Sequence, residues 1–226
     1  QNRPHIGGQR DQFAFVEALI ALSADVRAIL GPGTKITYGA DWTEYFGFQP
    51  DDGSGDVYFH LDPLWGSDSI DAVGIDMYAP ISDWRESDAF GANNPDGFAH
   101  HADYQAMKAQ VEGGEGYNWY YASDADRENR VRTPISDGAY NKPWVFRFND
   151  LTSWWTNALY DRRGGVEVPS PSNWQPKSKP IYLLEIGCTA LRGGAVQPNV
   201  FPDAKSSENA KPKGATGALS DSEQRA

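Results

Sequence analysis

Apolar residues recur every three or four positions along the segment RDQFAFVEALIALSADVRAILG, residues 10–31. This spacing predicts an amphipathic helix, because side chains three and four positions apart lie on the same face. The predicted apolar face comprises Phe13, Val16, Leu19, Ile20, Ala24, Ile29 and Leu30. The run Gly31-Pro32-Gly33 predicts that the helix ends there, since glycine and proline both terminate helices.

Three later segments are short and mostly apolar, as buried strands are: KITYGAD (35–41), DAVGIDMY (71–78) and KPIYLLEIG (179–187). Strands of this kind are usually covered on both faces, and helical segments lie before and between them. The combination predicts parallel βαβ units, and therefore an α/β fold.

The long interval between the second and third strands contains further helical patterns. They are HADYQAMKAQV (101–111), SDADRENRV (123–131) with Ser123 as a plausible N-cap, and NDLTSWWTNALY (149–160). About a hundred residues is long for one crossover, so we expect residues 82–178 to contain an insertion over a strand end. The glycine-rich segment EGGEGYNWYYAS (112–123) is the natural candidate for a loop or lid. We expect one domain over residues 1–201 and an irregular or disordered tail over 202–226, where no aromatic residue occurs.

Each predicted strand carries a carboxylate at its C-terminal end: Asp41, with Glu44 close behind, Asp76, and Glu185. The C-terminal ends of parallel strands meet on one face of a barrel, so these acids are expected to share a pocket. Two alternatives remain open. In the first, Asp41 and Asp76 only cap the loops that follow their strands; in the second, Glu185 pairs with a buried Arg or Lys.

Aromatic residues gather at the same strand ends, and Trp42, Tyr78 and Trp84 are the candidates for contacts with a ligand. Sugar-binding sites place flat aromatic rings against the apolar faces of sugars and use carboxylates to hold the hydroxyls. Core packing is the alternative interpretation for any single aromatic residue.

Composition excludes several other functions. A net charge of −11, a pI near 4.7 and the lack of any Lys/Arg-rich run argue against nucleic-acid binding. No apolar run approaches 18 residues and no secretory apolar region is present, so neither membrane insertion nor a signal peptide is expected. A single cysteine, Cys188, cannot form an intrachain disulfide.

No cofactor is expected. The histidines lack the spacing of a metal site and are expected to be exposed loop residues: His5, His60, His100 and His101. The glycine-rich stretches lack the patterns that bind phosphate, and no GxSxG nucleophile motif occurs.

Four long stretches resemble the TIM-barrel-like domain of gene transfer agent and phage tail-tip (host specificity) proteins. They are ITYGADWTEYFGFQPDDGSGDVYFHLDPLW, DAVGIDMYAPISDWR, GGEGYNWYYASDADR with RTPISDGAYNKPWVFRFNDLTSWW, and KPIYLLEIGCTALRGGAVQPNVFPDAKSSEN. The resemblance covers roughly residues 12–210. That family is in turn similar to retaining glycoside hydrolases with (β/α)8 barrels, so the resemblance implies a TIM-barrel-like glycosidase fold.

By this resemblance Glu185, in LLEIG, occupies the position of the nucleophile, and Asp76 and Tyr78, in GIDMY, line the cleft from strand six. A retaining mechanism needs a second carboxyl group about 5 Å away. In the related barrels that acid belongs to strand four, in a motif resembling GSELRG that this sequence lacks. Glu44 is a weak substitute. The chain therefore resembles part of a barrel, strands five to seven, and its first residue, Gln1, suggests a piece of a longer or processed protein.

The sequence thus predicts a glycoside hydrolase-like domain of a tail protein, acting on cell-envelope polysaccharide or peptidoglycan glycan. Its other expected partners are phage-tail-type subunits, within a tail particle that is assembled in the cytoplasm and acts at the envelope. The alternative is a module for glycan binding or tail assembly that lacks the acid/base carboxylate and catalyses nothing. A fragment that does not fold alone is a third possibility.

Overall fold

The computed structural model describes residues 12–90, 94–202, 210–213, 215 and 217–225. The helices are α1 (Ala14–Leu30), α2 (Asp62–Trp65), α3 (Tyr104–Gln110), α4 (Asp124–Asn129), α5 (Leu151–Thr156) and α6 (Asp221–Arg225). The strands are β1 (Gly39–Asp41), β2 (Val73–Met77), β3 (Trp119–Tyr120), β4 (Thr133–Pro134), β5 (Arg162–Arg163), β6 (Val166–Glu167) and β7 (Ile181–Ile186). Short 3₁₀ helices occur at Glu86–Phe90, Pro143–Phe146 and Gly194–Val196.

The chain divides into two compact units. The first comprises residues 1–76 and 151–184, and the second comprises residues 77–150 and 185–226. The predicted insertion at 82–178 is therefore divided between both units. The predicted domain boundary at residue 201 lies inside the second unit.

The largest sheet has the order β1-β2-β7, and its first two strands are parallel. Their register pairs Gly39 with Gly74 and Asp41 with Asp76. The N–H of Val73 donates to the carbonyl of Pro180 at 2.9 Å, directly before β7 begins. All three predicted strands are present, and together with the helices they confirm the α/β class.

Large aromatic side chains form the core of the first unit. The rings of Trp154 and Trp174 stack at 4.9 Å, and Tyr45 packs edge-on against Trp154 at 5.4 Å. Trp65 and Ile75 are also fully buried. The core of the first unit is therefore mainly aromatic.

Helix α1 confirms the predicted helix, and it ends at Gly31, whose φ of 74° favours glycine. The predicted apolar face is only partly buried. Phe13 and Val16 are buried, but Ile29 is 80% exposed and Leu30 is also exposed. The reason is tertiary, because in the last turns the chain covers Ser23 and partly covers Val26 and Arg27 but leaves Ile29 and Leu30 exposed.

Strand β7 corrects the expectation that all three strands are covered on both faces. Tyr182, Leu183 and Leu184 are each more than 40% exposed, and Ile186 is 70% exposed. In the described residues β7 is an outer strand of its sheet, so one of its edges has no neighbouring strand. An apolar sequence predicts a strand, but only neighbours can bury it.

His60 corrects the prediction that the histidines are exposed loop residues. Its side chain is 5% exposed, and its ring lies 5.1 Å from that of Phe13 and 6.1 Å from that of Phe48. His5 lies outside the described residues, whereas His100 is exposed and His101 half-buried.

Helices α3, α4 and α5 confirm the three helical patterns predicted after the second strand. Ser123 caps α4 as predicted, accepting a hydrogen bond from the backbone N–H of Asp126 at 3.1 Å. Asp103 caps α3 in the same way, accepting from the backbone N–H groups of Gln105 and Ala106. In both cases the capping oxygen satisfies an N–H group that the first turn of a helix leaves unpaired.

The glycine-rich segment 112–123 is packed rather than free, in contrast to the loop or lid expected from its composition. Its strand β3 pairs with β4, and Glu115 is buried in an ion pair with Arg127. Gly116 has a φ of 79°, and a Cβ there would overlap the ring of Phe148. The glycines therefore allow close packing.

The described part of the expected tail also packs within the second unit. Leu191 and Leu219 form a β-bridge, and the N–H of Ser220 donates to the carbonyl of Ala190 at 3.0 Å. Helix α6 follows, where the sequence predicted irregular chain.

Candidate functional site

Glu185 and Tyr78 form a hydrogen-bonded pair in the second unit. Glu185 is the second-last residue of β7, and Tyr78 directly follows β2. The Tyr78 hydroxyl donates to Glu185 Oε2 at 3.0 Å. The ring of Phe201 packs edge-on against that of Tyr78, with centroids 5.6 Å apart and planes at 89°. The phenol is thus held against one oxygen of the carboxylate.

The carboxylate of Glu185 is exposed to solvent. Among the described residues it has no Lys or Arg partner, which removes the alternative that it belongs to a buried ion pair in this part of the chain. One carboxylate oxygen accepts the phenol hydrogen bond. A carboxylate held in this way can serve as a nucleophile or stabilise positive charge on a substrate.

Three of the predicted acids surround one phenol in the first unit. Tyr38 donates to both carboxylate oxygens of Glu44, at 3.2 and 3.3 Å. Burial, followed by the negative charge of Glu44, raises the pKa of Tyr38 to about 12. The charges of Asp76 and Asp41 add to this rise. The two parallel strands therefore bring Asp41, Glu44 and Asp76 into one electrostatic group.

Within this group, Asp41 has a clear local role. Its Oδ1 accepts from the backbone N–H of Thr43 at 2.8 Å and from the Thr43 hydroxyl, so it caps the turn after β1. This matches the alternative in which Asp41 organises its own loop. The carboxylate of Asp76 lies beside Gly39, where an added Cβ would be 3.5 Å from both of its oxygens.

The three aromatic residues predicted to contact a ligand differ in how deeply they are buried. Trp42 and Tyr78 are half-buried and retain some exposed ring surface. Trp84 is 3% exposed and packs in a core cluster of the second unit with Phe98 and Met107. Because Trp84 is buried, most of its ring packs in the core, as in the core-packing alternative of the sequence analysis.

Tyr38 was not among the residues that the sequence selected, although it orients Glu44. The available signal was its position three residues before Asp41 and six residues before Glu44. Such a spacing is too common to identify a hydrogen bond without coordinates.

No group of three or more His, Cys, Asp or Glu side chains in the described part of the chain is arranged to hold a metal ion. In the same residues, no helix is both long enough and apolar enough to cross a membrane.

Comparison with known proteins gave one family. The model of the family described as "GTA TIM-barrel-like domain" matches residues 3–226, nearly the whole chain. No curated protein matches the sequence.

Proposed function

The chain belongs to the GTA TIM-barrel-like domain family, and on that basis we propose that it is a glycoside hydrolase-like domain of a gene transfer agent or phage tail protein. Its substrate in this proposal is cell-envelope polysaccharide or the glycan of peptidoglycan. The hydrogen bond of 3.0 Å between Tyr78 and Glu185 is the observation that carries the proposal. It holds a carboxylate at the end of a strand, where barrel enzymes place catalytic groups.

In this proposal the β1-β2-β7 sheet corresponds to strands five to seven of a (β/α)8 barrel. The parallel pairing of β1 and β2 supports it, as does the place of Glu185 at the C-terminal end of β7. The protein then acts as part of a tail particle that is assembled in the cytoplasm and works at the cell envelope.

Glu185 is the proposed nucleophile, and Tyr78 is a positioning residue. A retaining glycosidase uses one carboxylate to attack the anomeric carbon and a second carboxyl group to protonate the leaving oxygen. The phenol hydrogen bond orients the Glu185 carboxylate before attack. The proposal does not assign the second carboxyl group: Glu44, the substitute considered from the sequence, lies in the first unit, where it accepts a hydrogen bond from Tyr38.

The second candidate function is a non-catalytic module for glycan binding or tail assembly. The exposed apolar side chains of β7 favour it, because apolar surface on an outer strand is characteristic of contact sites between proteins. In this case Glu185 contributes to binding a sugar or a neighbouring subunit.

The test is hydrolysis of purified envelope polysaccharide and of peptidoglycan by the full chain, measured as release of reducing sugar ends. Glu185→Gln should reduce cleavage to background, because an amide cannot form the glycosyl-enzyme ester. Tyr78→Phe should lower the rate roughly 10- to 100-fold, as expected for losing one hydrogen bond to a charged group. Glu17→Gln, an exposed change on α1, is the matched control and should leave the rate unchanged.

Full cleavage by Glu185→Gln would rule out the assigned nucleophile. Binding of envelope glycan without cleavage by the wild-type chain would favour the second candidate function instead.

A further inference from the structure

A cavity in the second unit is lined by neither Glu185 nor Tyr78. Its volume is about 100 Å³. It is lined by three cationic, two acidic and two apolar side chains: Arg85, Arg127, Lys213, Asp83, Glu128, Trp84 and Val196. We propose that this cavity binds an uncharged, hydroxyl-rich group, namely the edge of one sugar ring.

Side chains of both charges lie around this cavity. An anion would be repelled by Asp83 and Glu128, and a cation would be repelled by Arg85, Arg127 and Lys213. A hydroxyl group can donate to a carboxylate and accept from an ammonium or guanidinium group. The chain's net charge of −11 further disfavours an anionic ligand.

Most of the charges in the wall are already held in place. Arg85 donates to the backbone carbonyls of Arg127 and Glu128 at the end of α4. Arg127 forms a bidentate pair with Glu115, and one of its bonds is 2.8 Å long. A rigid wall of paired charges can present fixed donors and acceptors without the entropy cost of ordering long side chains.

Lys213, in the C-terminal segment, lines one side of the cavity. Its ammonium donates to Asp124 at 2.9 Å, and its backbone N–H donates to the side-chain oxygen of Gln197 at 2.6 Å. An ammonium group has three N–H donors, so donor capacity remains for a ligand oxygen. The side chain is 41% exposed, which leaves it accessible from solvent.

Trp84 and Val196 supply the apolar part of the lining. Small-molecule sites typically combine apolar surface with a few fixed polar groups, and a sugar presents both C–H and O–H groups. The volume corresponds to roughly three water molecules, so the cavity accepts one edge of a ring rather than a whole oligosaccharide. That the sugar comes from an envelope glycan rests on the proposed function.

The experiment is titration of the isotope-labelled full chain with a panel of neutral hexoses and N-acetylhexosamines, followed by backbone amide NMR shifts. At sugar concentrations up to roughly 100 mM, at least one sugar should give saturable shifts at Val196 and Lys213, with an affinity in the millimolar range. Lys213→Met should weaken that affinity roughly threefold or more. Lys108→Met, an exposed change on α3, is the matched control and should not alter it.

Because Lys213→Met could loosen the C-terminal segment, Glu128→Gln serves as a second variant of nearly unchanged shape, and it should also weaken binding. Lack of saturable shifts with every sugar would overturn the proposal. Stronger shifts of the same amides with sodium acetate or methylammonium would do so too, because they would indicate an ion site. Glu185→Gln should retain the sugar shifts, so loss of cleavage and loss of this site are distinguishable.

Discussion

Acid should destabilise the first unit through His60. Burial lowers the pKa of this imidazole from 6.5 to about 4, and the backbone carbonyl of Tyr58 only partly offsets that effect. Among the described residues neither ring nitrogen has a side-chain partner, and the ring packs against those of Phe13 and Phe48. The folded chain therefore keeps His60 neutral at a pH where the unfolded chain binds a proton.

The sign and size follow from proton linkage. Below pH 6.5 the unfolded state takes up more protons, so stability falls as the pH falls, until the folded imidazole itself titrates near pH 4. The difference in pKa, 6.5 minus 4, corresponds to about 3 kcal/mol at most. At about pH 4.5 the expected loss is about 2.5 kcal/mol of unfolding free energy.

The assay is urea unfolding of the wild type and of His60→Phe at about pH 7 and about pH 4.5, followed by tryptophan fluorescence. Carboxylates titrate alike in both proteins, so the change with pH in their stability difference isolates His60. The variant should gain about 2.5 kcal/mol relative to the wild type on acidification. His100→Gln, an exposed change, is the control and should stay within about 0.5 kcal/mol at both pH values. A stability difference between His60→Phe and wild type that is independent of pH would refute the reasoning.

Two further predictions compare the stability cost of substituting a covered side chain with that of substituting an exposed one. Arg132→Met should cost about 2–3 kcal/mol in a thermal or urea melt, because it removes the guanidinium that pairs with Asp96 and one of the cationic partners of the buried Asp83. Lys35→Met, 71% exposed, should cost under about 1 kcal/mol. Equal losses in the two variants would contradict this ranking. Ile186→Thr on the exposed part of β7 should cost no more than about 0.5 kcal/mol and reduce binding of a hydrophobic dye, whereas Ile75→Ala in the core should cost about 2–5 kcal/mol. Unchanged dye binding in Ile186→Thr would show that this strand is covered in solution.

Several elements could be predicted because their causes are local. Ser123 caps α4 through an N–H group three residues away, and Gly31 ends α1 through its own backbone angle. The strand-end positions of Asp41, Asp76 and Glu185 followed from runs of apolar residues that stop at an acid. Each of these signals is contained within a few consecutive residues.

Other features depended on residues far apart in the chain. The partner of Glu185 is Tyr78, 107 positions away. Asp83 is buried against Arg132, 49 positions away, and that guanidinium lies 3.9 Å from the centre of the Trp119 ring. Burial, followed by the hydrogen bond to Asp83, raises the pKa of Tyr121 to about 12. No periodicity reports such pairs, because it records only neighbours along the chain.

By itself, the amino-acid sequence determined the α/β class, the helices α1, α3, α4 and α5, the helix end at Gly31 and the cap at Ser123, the acids at the strand ends and the resemblance to a barrel family. Only the tertiary structure decided which of those apolar and acidic residues are covered: it buried Trp84 and His60 and left most of β7 exposed. The physical reason is that helix capping and backbone preference act over a few consecutive residues. Burial, ion pairing and pKa shifts depend on which distant segments come together.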